Sequence, residues 1–429
     1  MAMFSLSMGA GWPDSPAVAG RGRRAGPARA SRLGGIRERT AASRKPLWNN
    51  TPIMKPLIRI CALVILLGPL HSSAQEAAVI VTNPSDLSRV SETVAVPWGN
   101  LPRLDPARTA VFEGDQEIPC QSMVLDGGGA ELLFQSSFKP HEAKTFRVGT
   151  VPSRKSFPSP VDARFVLPRA DVGWESDRIA FRIYGSVLAG DVDNGIDVWT
   201  KRVRYPIVAK WYKANEGRTS GKDTYHEDHG EGADFFSVGR SLGAGSAGIW
   251  RGGNLHQPGM FTSHTILADG PIRAAFRVAY EKGTIDGKPF REVKTISIDA
   301  GSNLNRIEVT YSGAGDTITF LAGLVKRKGV VSAAGPDNRW ISLWGPTNED
   351  PENGSLGLGV VFVHPDSRGV VDDSTHFGLL GTALNNRPVV YYAGAGWTRS
   401  GDFSSASDWN ASLARAALRL DAPLKVRVR

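Results

Sequence analysis

Four of the chain's eight histidines fall between His226 and His264, in a stretch that reads YHEDHGEGADFFSVG from Tyr225 and RSLGAGSAGIWRGGN from Arg240. Imidazoles, carboxylates, a phenol and amides stand there among glycines that let a backbone turn tightly around a ligand. Such a composition suits acid/base chemistry near neutral pH or coordination of a metal by oxygen and imidazole. Composition alone does not choose between them.

A metal site would have to draw on His226, Asp228, His229, Glu231 and Asp234. In extended backbone His226 and Asp228 point one way and His229 the other, so His256 or His264 would have to complete the shell. No cofactor is demanded by these residues; Ca²⁺ is the cation that carboxylates and a uronate would share. Acid/base chemistry on a sugar asks for less symmetry. In β-elimination of a uronate, a Tyr or His base removes the proton next to the carboxylate, while Arg, Asn or a cation neutralises that carboxylate. Tyr225, His226, His229, His256 and His264 are the catalytic candidates, and Arg251 and Asn254 the candidates for holding the substrate. Trp250 and Trp397, the latter in YYAGAGW from Tyr391, are candidate sugar-stacking surfaces. Hydrolysis would instead need two opposed carboxylates, for which Glu231 and Asp234 are the local pair. His226, His229, His256 and one of Trp250 or Arg251 are expected to line a single cleft.

The elements that must position these residues are strands. Short β-branched and aromatic runs recur along the chain, among them AAVIVT at Ala77, AELLFQ at Ala130, RIAFRIY at Arg178, IVAKWY at Ile207 and EVKTISID at Glu292. In the run from Ile272, Ala274, Phe276, Val278 and Tyr280 share one face with Ile272, while Arg273, Arg277 and Glu281 share the other. Gly, Asp, Asn and Pro turns between such runs predict an all-β fold: a large antiparallel sandwich, compatible with a galactose-mutarotase-like supersandwich, with a small N-terminal β-domain. One helix is expected near the end, where Trp409, Leu413, Ala416, Ala417 and Leu420 recur at helical spacing, with Ser407 or Asp408 as N-cap and Pro423 as stop. The Pro- and Ser-rich stretch from Val151 to Ala163 suggests a boundary between residues 75–155 and 160–429. No nucleophile elbow, zincin helix or phosphate-binding loop is present.

Residues 1–53 are aperiodic and read as an over-extended start. From Met54 a basic segment, an apolar run from Ile60 to Leu67 and Ser72-Ser73-Ala74 read as a signal peptide over residues 54–74, which predicts periplasmic or extracellular release. The apolar run is too short to span a bilayer, for which about 20 residues are needed, so no membrane insertion is expected after cleavage. The formal charge of +9 lies in this region: residues 1–74 hold 11 Lys and Arg against 2 Asp and Glu. The remainder is balanced, which removes the electrostatic case for nucleic acid. Beyond Cys61 only Cys120 remains, so no internal disulfide is expected.

The YHEDHGEGADFFSVGRSLGAGSAGIW stretch, the early NPSDLSRVSETVAVPW, the ELLFQ and KTFRVG pair and the terminal YYAGAGWTRSGDFSSASDW resemble a bacterial family of secreted proteins known only as a domain of unknown function. The resemblance runs from Val79 to Val428. It implies occurrence in polysaccharide-utilisation gene clusters, sometimes in fusion with unsaturated-rhamnogalacturonyl-hydrolase-like modules. A pectin-like, uronate-containing glycan partner follows as an implication, and no catalytic residue is transferred. The function expected is that of a secreted protein acting on acidic glycans, foremost a polysaccharide or oligosaccharide lyase; a non-catalytic glycan-binding protein and a glycoside hydrolase are the alternatives.

Overall fold

Alternating apolar runs become antiparallel strands in the computed structural model, which describes residues 76–125, 127–215, 224–363 and 367–429. The leader read at residues 54–74 lies outside the described residues. The first part of the described chain forms a small sandwich. A five-stranded sheet, running in space from Lys425–Val428 through Glu76–Thr82, Ala143–Thr150 and Thr109–Glu113 to Gln116–Ile118, accompanies a three-stranded sheet of Arg89–Pro97, Ala130–Phe138 and Cys120–Val124. Val79, Val81, Phe134, Phe146 and Val148 fill the core of this sandwich, and the free Cys120 is buried with them. The C-terminal strand belongs here too, with Val428 opposite Val79.

The larger part is built on an eight-stranded antiparallel sheet whose central strands include Arg273–Ile285, Lys288–Asp299, Leu304–Ser312 and Val389–Trp397. Ala274, Phe276, Val278 and Tyr280 all face its core, as the period-two pattern requires. Two five-stranded sheets supply the other side of that core. One carries the hairpin Ala244–Arg251 and Asn254–His256 at its edge; the other runs Gly232–Ala233, Asp197–Lys201, Ala180–Ile183, Asp171–Glu175, Asp162–Val166. An isolated bridge between Ile196 and Gly243 joins the two. The back of the large sheet meets the small sandwich through Ala275 and Ile272, packed with Met123 and Leu133, and Gln121 accepts from the amides of Ile272 and Arg273 at 2.9 and 2.8 Å.

Two α-helices are present among the described residues, one more than the sequence predicts. The first, α1, spans Val208–Asn215 inside the segment that reads as the strand IVAKWY. Its cap comes from far away. The Glu175 carboxylate accepts from the amides of Ile207 and Val208 at 2.7 to 2.9 Å, an anion at a helix N-terminus that overrides local β-propensity. Lys201, fully buried, pairs with Glu175 at 2.5 Å. The second helix, α2, spans Ala406–Asp421. It starts earlier than Ser407 or Asp408 would allow, because Ser405 is the cap, accepting from the Asp408 amide at 3.2 Å, while Asp408 accepts from the Ser404 amide at 3.0 Å. Trp409 lies against Gly357, where a Cβ would come within 2.7 Å of the indole, and Leu413 packs on Gly359 in the same way. Replacing Ser405 by Ala should lower the unfolding free energy by about 1 kcal/mol. Urea denaturation checks this, and an unchanged midpoint would show that the bonds Ser404 donates to the Asp408 carboxylate hold the helix start alone.

Candidate active site

The outer face of the Asp171–Glu175, Ala180–Ile183 and Asp197–Lys201 strands carries polar side chains where a sandwich surface would be free to meet water. Here it is roofed over by α1 and by the chain around Tyr225. Arg182 and Asp197 are cross-strand partners on this face. The guanidinium donates to Asp197 from Nε at 2.9 Å and from Nη2 at 2.5 Å, and Nη2 also reaches Asp234 at 2.9 Å and the Tyr184 hydroxyl at 3.2 Å. All three charged groups are buried. Burial, reinforced by the charge of Asp197 and opposed by Arg182, pushes the Asp234 carboxyl well above the usual carboxylate range.

His226 sits at the rim of this network. Its Nδ1 is 3.0 Å from the Asp234 carbonyl oxygen and 3.7 Å from the Asp234 carboxylate. A carbonyl only accepts, so in the neutral ring Nδ1 carries the hydrogen and Nε2 keeps its lone pair. With its side chain 57% exposed, the imidazole can be reached by a substrate. Tyr225, whose ring lies 4.5 Å from that of His226, is buried and stacked on Trp199 at 5.1 Å. Burial pushes the Tyr225 hydroxyl above its ordinary pKa and keeps it protonated at neutral pH, suited to donating rather than accepting a proton.

The other candidates on this loop are spoken for separately. His229 is exposed, 3.9 Å from Glu227. Asp228 accepts from the amides of Gly230 and Gly232 at 2.8 and 3.0 Å and from Arg202, and Arg399 stands 3.7 Å away. Desolvation opposes its ionisation, but these donors outweigh it and hold the carboxyl below its usual value. Glu231 accepts from Tyr205 and Lys210 at 2.6 Å and from Trp211 at 3.2 Å. Asp228, Glu231 and Asp234 therefore face three different partner sets and do not converge as metal ligands would; no such cluster of three is found among the described residues.

The remaining candidates lie on other elements. Trp250, Arg251, Asn254 and His256 sit on the edge hairpin, where Arg251 pairs with Asp286 at 2.7 Å and donates to the Ala314 carbonyl, and Asn254 bonds back to Gly252 at 3.1 Å. His264, on the strand Ser263–Asp269, stacks on Phe165 at 3.8 Å. Trp397 is fully buried, its indole nitrogen donating to the Asn353 carbonyl at 2.7 Å, which leaves no ring face for a sugar. The structure brings Tyr225, His226 and Asp234 together. Arg251, Asn254 and His264 take their partners from other elements.

A family model described as "Domain of unknown function (DUF4861)" matches residues 81–426. The chain belongs to the DUF4861 family. An uncharacterized protein of Formosa agariphila is 30% identical over 400 residues, covering 86% of this chain and 98% of the relative. Two solved structures from Enterococcus faecalis are similar at a TM-score of 0.45: a protein in the glycosyl hydrolase family 38, 9% identical, and an alpha-mannosidase, 10% identical, each covering 83% of this chain. The chain spans about half the length of those two, 47% and 46% respectively.

The DUF4861 chain carries Asp234 into the Arg182 network and the next residue, Phe235, into the wall of a cleft of about 890 Å³. Lys326, Arg327, Lys328, Asn348 and Glu349 also line this cleft. Arg399 ties the two regions together, donating to the Glu352 carbonyl at 3.0 Å while facing Asp228. The Arg182 and Asp197 pair does not stand out in the sequence. The cleft's one signal was three consecutive cations closing an apolar strand, Thr317–Val325, before Gly329.

Proposed function

We propose that this DUF4861 chain is an exported, carbohydrate-active protein that cleaves acidic, uronate-containing glycans by β-elimination, with His226 as the base. The observation that carries this reading is the accessible imidazole whose Nδ1 is fixed by Asp234 and whose Nε2 takes no partner among the described residues. Nε2 takes the proton from the carbon next to the uronate carboxylate. The electron pair left behind forms the new carbon–carbon double bond as the glycosidic oxygen departs, and that oxygen gains a proton. The Asp234 carbonyl oxygen, accepting from Nδ1, keeps the ring oriented while Nε2 takes up the proton. Arg251, paired with Asp286 on the edge hairpin, is replaced in this scheme by Arg399, which stands 3.7 Å from Asp228 on the His226 loop, as the group that neutralises the substrate carboxylate.

Incubating the full chain with de-esterified pectin and other acidic polysaccharides should produce the ultraviolet absorbance of an unsaturated uronate. New reducing ends without that absorbance would replace elimination with hydrolysis and return attention to Glu231 and Asp234. Binding with neither product would leave a glycan-binding protein.

A further inference from the structure

Buried cations in a folded chain are held by counter-charges, because taking a charge out of water is costly unless an opposite charge meets it. Arg182, Lys201 and Lys294 each obey this, facing Asp197 and Asp234, Glu175, and Glu292. Arg327 does not. Its Nη2 donates to the Leu356 carbonyl at 2.8 Å and its Nε to the Pro346 carbonyl at 3.4 Å, and the guanidinium lies 5.5 Å from the Phe236 ring. Nη1 is sealed from solvent and has no partner, and no carboxylate among the described residues pairs with the group. Desolvation pulls its pKa down to about 10, with no neighbouring charge to restore it.

This uncompensated cation lies in the wall of the 890 Å³ cleft. Lys326 beside it is committed to Asp372 and to the Asp373 carbonyl. Lys328, exposed on the same wall, is free to turn toward a ligand, and Phe235 supplies an apolar surface. Glu349 is the one acidic residue of the lining, so within the cleft an anionic group is drawn toward Arg327 and Lys328.

We infer that the cleft is a subsite for an oxyanion carried on a saccharide, a carboxylate or a sulfate ester, with Arg327 and Lys328 providing the counter-charge and Phe235 the sugar contact. The saccharide half of this assignment rests on the function proposed above; the oxyanion half rests on Arg327. The carbonyl bonds of Arg327 hold the guanidinium in place but do not answer its charge, which is the part a ligand supplies.

Calorimetric titration of the full chain with de-esterified trigalacturonate, a sulfated galactotriose and neutral galactotriose tests it. At least one charged trisaccharide should bind, and the neutral one should bind about tenfold more weakly or not at all. Lys328→Ala should weaken the charged ligand about two- to fivefold. Arg327→Gln should weaken it about tenfold or more, and raising the salt should reduce each difference. Which charged arm responds identifies the group. Should Arg327→Gln not fold, the exposed Lys328 variant and the neutral arm decide alone. Equal affinity for the neutral trisaccharide, no binding of either charged one, or charged binding untouched by Lys328→Ala would overturn the subsite. Elimination activity that persisted in the last case would leave the proposed function standing without it.

Discussion

Replacing His226 by Gln is expected to lower turnover of an acidic glycan by roughly 10²- to 10⁴-fold while leaving its affinity almost unchanged. A general base acts on the proton only as it leaves, so its removal raises the barrier more than it weakens the ground-state complex. Glutamine removes the basic nitrogen and leaves a neutral polar side chain of similar size beside the Asp234 carbonyl. Tyr225→Phe should cost far less, since the buried ring keeps its stack on Trp199 and loses only a donor. His229→Gln, on an exposed side chain 3.9 Å from Glu227, should change little. Single-turnover kinetics beside calorimetric affinity separate these cases. A folded His226→Gln variant with full turnover would sink the assignment, and loss in the His229 variant instead would move the base three residues along the loop.

The strands were legible because side chains alternate along them, and Ala274, Phe276, Val278 and Tyr280 keep to one face; Ile272, read on that face, stands before the strand begins and packs on the other side with Met123 and Leu133. What alternation could not convey was contact across the chain. The α1 helix depends on Glu175, which caps it from 32 residues before Ile207, so local propensity pointed to a strand. Glu292 and Lys294 lie in EVKTISID on the core-facing side, stabilised by each other and by Asn194 rather than by water. In the site, His226 and Asp234 are close in sequence and remain close in space. His256 lies beyond the strand Ala244–Arg251, on the returning arm of the edge hairpin opposite Ile249 and in a different sheet from Gly232–Ala233. Nearness in sequence marks one side of a site only when the intervening chain turns instead of extending. The glycine-rich loop at Gly230 and Gly232 turns; the strand after Gly243 extends.

Arg182→Met should be the most destabilising single change near the site, lowering the unfolding free energy at pH 8 by about 3–5 kcal/mol. The loss comes from what remains. Asp197 is fully buried and Asp234 nearly so, and without the guanidinium two carboxyls would face each other with no cation between them. Burial already raises both above the ordinary carboxylate range against the opposing pull of Arg182, so the variant should raise them further. For an acid whose folded pKa is raised, stability is fully present below the unfolded pKa of about 3.9 and is lost as pH rises through the folded value. The deficit of Arg182→Met should therefore shrink on going from pH 8 to pH 5, and adding Asp197→Asn should recover much of it at pH 8. Urea unfolding at the two pH values provides the measurement, with the double mutant closing the cycle. A variant within about 1 kcal/mol of the parent at pH 8 would mean that the three groups are not held as a charged network. The same residue bears on chemistry, because Asp234 fixes His226 through its carbonyl and Arg182 fixes Asp234 through its carboxylate. Where Arg182→Met still folds at pH 5, it should also lose turnover, and Asp197→Asn should restore stability more fully than it restores rate.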